Sequence, residues 1–181
     1  MTRRKTYRIA IGGVLTATAV LVMLLGSVIP LATFVAPCLA ALCVLYFCIE
    51  FGNKTAIVVY AAISLTAALL APDKELAFVF VFVTGYYPIV KTACEKLKSK
   101  LAAFAIKLAV FNAAILLMYF LLIRVIIYAP VKSEFEQYGP AMLIGLIVVA
   151  NLTFLIYDVA LARLARLYDR KLRAKLSIGG K

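Results

Sequence analysis

The chain has 181 residues, 66% of them hydrophobic, with a mean hydropathy of +1.05. Soluble domains are about 45–50% apolar, so a soluble globular enzyme is excluded. The 20 Lys and Arg outnumber the 8 Asp and Glu for a net charge of +12, but these charges lie between long apolar runs, which points to a lipid bilayer and away from nucleic acid.

A membrane helix needs about 20 mostly apolar residues. Six segments approach that length: about Tyr7–Ile29, ending before Pro30; about Ala32–Phe51; about Thr55–Leu70; about Glu75–Val90; about Leu101–Tyr128, ending before Pro130; and about Tyr138–Leu164. The fourth is short and carries Gly85 and Pro88, which loosen a helix, so it reads as a tilted short span or a re-entrant element. The basic start TRRKTYR precedes an apolar run longer than the usual 7–15 residues of a signal h-region, which predicts a retained first helix. The longest polar loop, about Lys91–Lys100, is too short for a soluble domain. The fold class expected is therefore all-α, a single polytopic membrane domain over residues 1–181. A short basic N-terminus precedes it and a basic tail begins at about residue 165.

Loop charge sets the orientation, because cytoplasmic ends collect Lys and Arg. Six crossings with both termini in the cytoplasm put every Lys and Arg on that side except Lys74, Lys132 and Arg124. If the fourth segment did not cross, the lysines at 91–100 would lie outside. The tail over 166–176 carries Leu167, Leu172 and Leu176 among cations and reads as a basic, partly amphipathic helix on an anionic leaflet.

Polar residues inside the apolar runs carry the most information, since in hydrocarbon they must face protein or water. Asn112 and Asn151 lie near the middles of the fifth and sixth segments, as an interhelical hydrogen bond or as ligand contacts. Arg124, six residues before Pro130, either snorkels outward or faces a cavity with Asp73, Glu75 or an anionic ligand, and Tyr128 follows it on the same face at i+4. Glu50 and Asp158 sit near inner ends among Lys54, Arg8, Lys91 and Arg163 and read as interface anchors. No acid lies between them and Asp73 or Glu75, which argues against an autonomous proton-coupled carrier. Phe78, Phe80 and Phe82 read as lipid-facing bulk, and Tyr86 and Tyr87 as an interfacial belt. In the first segment Gly13 and Ala17, and Gly12 and Thr16, form small-residue pairs four apart, suited to packing within the bundle or docking onto another membrane protein.

Catalytic and metal chemistry finds little foothold. His is absent, which removes the commonest general base and metal ligand. Cys38, Cys43, Cys48 and Cys94 show no CxxC spacing and read as small buried hydrophobes, so no metal or cofactor is expected. Ser64, within the third segment, has no Lys or Asp beside it for nucleophilic catalysis, and the chain reads as a non-enzyme.

Six short spans, a Gly13–Ala17 pair in the first helix, Pro30 and Pro37 around the first outer loop, LeuAlaAlaLeu at 39–42, and AsnLeuThrPheLeuIleTyrAsp at 151–158 before a basic tail resemble one known family. It is the substrate-binding S components of energy-coupling factor (ECF) transporters, over nearly the whole chain. The resemblance implies capture of a small vitamin-like solute from outside a bacterial cytoplasmic membrane. It also implies docking through Gly13 and Ala17 onto a transmembrane coupling subunit served by two cytoplasmic ATPases. The chain has no GxxxxGK[ST], so ATP hydrolysis would fall to those partners. It also lacks the N-terminal His of the nickel and cobalt members, which sets a metal solute aside. The implied ligand region lies under the first outer loop and among the last three helices, with Thr33, Asp73, Glu75, Arg124, Tyr128 and Gln137 as candidate contacts and Asn112 and Asn151 deeper. The alternative is a small polytopic scaffold of a membrane complex with no solute of its own.

Overall fold

A computed structural model describes residues 2–29, 32–95, 99–125 and 129–168, and their side chains over 5–29, 32–95, 99–124 and 145–168. The helices in chain order are α1 (Thr2–Gly26), α2 (Val35–Glu50), α3 (Asn53–Leu70), α4 (Lys74–Val79), α5 (Tyr87–Cys94), α6 (Lys100–Phe120) and α7 (Ala129–Leu167). Two π-helical turns, Phe80–Thr84 and Leu121–Val125, extend α4 and α6. Five stretches are long and apolar enough to cross a membrane: Lys5–Gly26, Asn53–Leu70, Lys74–Cys94, Lys100–Arg124 and Gly145–Leu167. α2 is apolar but shorter, at 16 residues.

Local chemistry starts and stops these helices. The Asp73 carboxylate accepts from the N–H groups of Glu75 (2.9 Å) and Leu76 (3.3 Å), capping α4. The Ser99 hydroxyl accepts from Ala102 N–H and caps α6. Gly52, with φ of 80°, makes the turn from α2 to α3 in a region only Gly enters freely. At the other end of α2, a Cβ on Gly26 would lie 2.3 Å from the Cβ of Ala36, so glycine is what lets α1 and α2 meet there.

Adjacent helices run in opposite directions and leave the bundle with two distinct ends. One holds the α1–α2 and α3–α4 turns, with Thr33 donating to Asp73 (3.2 Å) and Lys74 donating to the carbonyls of Ala68 and Ala71. The other holds the α2–α3 turn, with Asn53 donating to the Ile89 carbonyl and Thr92 donating to Asn53. α2 lies at the centre: Ala40, Ala41, Val44 and Phe47 are buried against α1 and α3, while Leu45 joins a second cluster with Tyr87, Phe111, Met118 and Phe154.

The fourth predicted segment is longer than its apolar run suggested: Lys74–Cys94 makes a 21-residue stretch, long and apolar enough to cross a membrane. Its π turn frees backbone carbonyls, which in an apolar environment need donors. Tyr60 donates to Val81 O (2.8 Å) and Tyr157 to Thr84 O (3.1 Å). Gly85 follows, and a Cβ there would sit 2.7 Å from the Phe80 carbonyl oxygen and 2.8 Å from its ring. The turn also corrects two expectations. Phe80 is fully buried with Tyr60 beside it, so it is core and not lipid-facing, while Phe78 and Phe82 stack on each other. Tyr87 is equally buried and belongs to no interfacial belt. Tyr87 departs from the expected pattern because the wide turn changes the angular order of the side chains that follow it, and Phe80, at its start, is held inward in the core between α2 and α3.

Candidate functional site

A cavity of about 250 Å³ opens among α2, the α4 passage, α6 and α7. α6 contributes Phe111, Ile115, Met118 and Tyr119, the α4 passage Val79, Val83 and Thr84, and α7 the run from Leu146 to Tyr157. Cys38 and Phe34 close it near the first turn of α2. Its floor is aromatic, with Phe111 against Phe154 at 4.4 Å and Tyr157 beside them, and Tyr87 packs behind it, edge-on to Phe154 at 5.3 Å and 5.6 Å from Tyr157. α7 encloses it loosely, with Val149 63% exposed, and Phe34 on the opposite rim is 54% exposed.

Beneath that floor lies a charged knot. Asp158 accepts from Lys91 and from Tyr87, and Lys107 donates to both of its carboxylate oxygens at 3.1 and 3.0 Å. Lys91 also donates to the Asp158 backbone carbonyl and pairs with Glu95 at 3.5 Å. The side chains of Lys91 and Lys107 are only 4% and 10% exposed. Two ammonium groups held this far from water require the carboxylate beside them. The knot ties α5, α6 and α7 together and seals the bundle below the cavity.

The expected pairing of Asp158 with a neighbouring cation is present in Lys91, but Lys91 is buried and the pair does not sit in a loop. Lys91 lies in the last turn of α5, and Asp158 sits nine residues before the end of α7, about 14 Å along the helix. The sequence reading missed Lys107 and Tyr87 as its partners. Two signals pointed to them: Tyr87 and Lys91 are i and i+4 on one helix face, and a lysine inside an apolar run must find a carboxylate. Glu50, the other expected anchor, accepts from the Tyr168 hydroxyl at 3.0 Å. Tyr168 is held above the usual phenol range by burial and then by that carboxylate.

The residues expected at a ligand site fall into separate groups. Thr33, Asp73 and Glu75 come together at the α1–α2 end, where Asp73 is a helix cap and Glu75 accepts from Tyr119 at 3.0 Å. Tyr119 in turn lines the cavity, so this group borders it without lining it. Asn112 and Asn151 exchange two hydrogen bonds of 2.9 Å between α6 and α7, each amide also donating to its own helix four residues back. Arg124 is exposed in the second π turn and forms no ion pair among the described residues. Tyr128 and the side chain of Gln137 lie outside the described residues. In α1, a Cβ on Gly12 would lie 3.6 Å from the Phe47 ring, whereas Gly13 and Ala17 are exposed and a Cβ at Gly13 would meet nothing within 4 Å.

The class defined by this fold and site is an α-helical protein with helices long and apolar enough to span a membrane and an apolar cavity over a buried ionic knot. Compared with protein-family models, curated proteins and solved structures, the chain matches none.

Proposed function

We propose that the chain is a solute-binding membrane subunit, an S component of an ECF-type importer in a bacterial cytoplasmic membrane, which captures a small vitamin-like solute from outside. The observation that carries this reading is the cavity of about 250 Å³ between α2, the α4 passage, α6 and α7. Six crossings with both termini inside put the end bearing Lys5, Arg8, Lys54, Lys91 and Lys107 in the cytoplasm, as the basic-inside bias favours. The cavity then lies toward the outer half, and the Lys91–Asp158–Lys107 knot closes the way inward.

In this reading the solute enters from the side where α2 begins. It is held above the aromatic floor and reaches the cytoplasm only when the whole subunit reorients against its partner. The exposed Gly13–Ala17 face of α1 supports that partner contact, because small residues let a second helix approach closely. A transmembrane coupling subunit would dock there, and two ATPases would supply the energy that this chain has no motif to extract.

The test is affinity purification of the tagged chain from gently solubilised native membranes. The expected result is co-recovery of one membrane protein and an ATPase pair, lost in a Gly13→Leu variant. Recovery of envelope or secretion components in their place would replace this reading with the scaffold alternative.

A further inference from the structure

Among the described residues, the cavity's lining contains no charged side chain, and its hydroxyls have already spent their donors. Tyr157 donates to Thr84 O (3.1 Å), Tyr119 to Glu75 (3.0 Å), Thr153 to Val149 O (2.9 Å) and Thr84 to Val79 O (3.5 Å). What these hydroxyls keep is acceptor capacity. An occupant bearing a carboxylate, phosphate or ammonium would lose its hydration with no counter-charge among these residues to replace it. A molecule with one O–H or N–H and an otherwise apolar body meets acceptors and carbon. Size narrows the class further. An engineered apolar cavity of about 150 Å³ holds benzene; by proportion, the volume of about 250 Å³ here holds about ten to twelve non-hydrogen atoms. Its walls include the Phe111 and Phe154 rings, which favour a flat partner by offset or edge contact. Phe34 and Val149, which line it, are 54% and 63% exposed, so the described walls are partly bordered by the apolar surface of the bundle.

We infer that the solute is an uncharged, flat, largely apolar molecule of bicyclic-aromatic size carrying a single hydrogen-bond donor. This inference rests on the reading of the chain as a solute-binding subunit and assigns the substrate class of that same site. It sets aside charged vitamins and phosphorylated precursors.

Cys38 lines the cavity and Cys43, on the same helix, does not, so the natural chain carries its own probe and reference. The chain is placed in lipid nanodiscs, alkylated with N-ethylmaleimide, and the rate at each cysteine is read by peptide mass spectrometry. Three probes are compared: 2-naphthol, 2-naphthoate (the same ring with a charge) and dodecane (a straight chain). The expected result is that 2-naphthol slows Cys38 alkylation at least fivefold, saturably, leaving Cys43 unchanged, while 2-naphthoate and dodecane do not. An Ala150→Phe variant, filling the cavity from α7, should lose the protection while keeping the elution profile of the parent chain. Equal protection by 2-naphthoate, or none by 2-naphthol, overturns the inference. Protection by dodecane overturns it in favour of a lipid acyl chain. The measurement uses the isolated chain and the co-purification uses its assembly, so the solute class and the transporter reading can fail separately.

Discussion

Lys107 and Asp158 meet across the α6–α7 contact, the ammonium bridging both carboxylate oxygens at 3.1 and 3.0 Å. Lys91 and Tyr87 reach the same carboxylate from α5, so one acid serves two buried cations. That asymmetry predicts unequal effects. Asp158→Ala strands Lys107 and leaves Lys91 only the exposed Glu95 carboxylate and a backbone carbonyl, and is expected to cost about 3–5 kcal/mol, the range for breaking a buried pair. Lys107→Met leaves Asp158 neutralised by Lys91 and is expected to cost distinctly less. Thermal unfolding of the two variants in detergent checks this, and equal losses would mean that the cations do not share the acid.

The Asn112–Asn151 pair makes a separable contribution. Each side chain keeps its bond to the carbonyl four residues back when its partner is replaced, so a single Asn→Leu change does not leave the survivor without an acceptor. A double-mutant cycle is expected to return a coupling of about 0.6–1.7 kcal/mol, as for other polar pairs between membrane helices. A coupling indistinguishable from zero would assign α6–α7 cohesion to apolar packing alone.

Two glycines should respond in opposite ways to the same substitution. Gly85→Ala drives a methyl into the Phe80 carbonyl and ring and is expected to destabilise by about 1–3 kcal/mol. Gly13→Ala faces open space and removes a glycine from a helix interior, so its melting temperature should be unchanged or raised. Parallel melting curves decide it.

The orientation proposed above has a direct check at Lys100, exposed at the start of α6. A Lys100→Cys variant is expected to resist a membrane-impermeant maleimide in intact cells and to label after permeabilisation. Labelling from outside would invert the bundle and place the cavity toward the cytoplasm.

The Tyr87 hydroxyl offers a test of the floor. Tyr87→Phe keeps the ring against Phe154 and Tyr157 and removes one hydrogen bond to a charged acceptor, worth about 1.5–3 kcal/mol. Because both lysines stay on Asp158, the loss measured by thermal unfolding should fall below that of Asp158→Ala. A larger loss would make the tyrosine, and not the carboxylate, the centre of the knot.

Sequence alone determined that the chain is helical and suited to a bilayer, because 66% apolar content and runs near 20 residues admit little else. It also picked out Asn112 and Asn151, since two amides in hydrocarbon on neighbouring helices have each other as the cheapest partner. Tertiary structure decided what lies between the helices. Gly85 and Pro88 marked a loosened helix in the sequence but not the π turn at Phe80–Thr84, which turns Tyr87 inward and leaves carbonyls for Tyr60 and Tyr157 to satisfy. Lys91, Lys107 and Asp158 are separated by up to 67 residues, and the ends of three helices had to converge before they could neutralise one another. Nor could the cavity be read from the chain, because an empty volume belongs to no residue. It arises from how far α7 stands from α2 and α6.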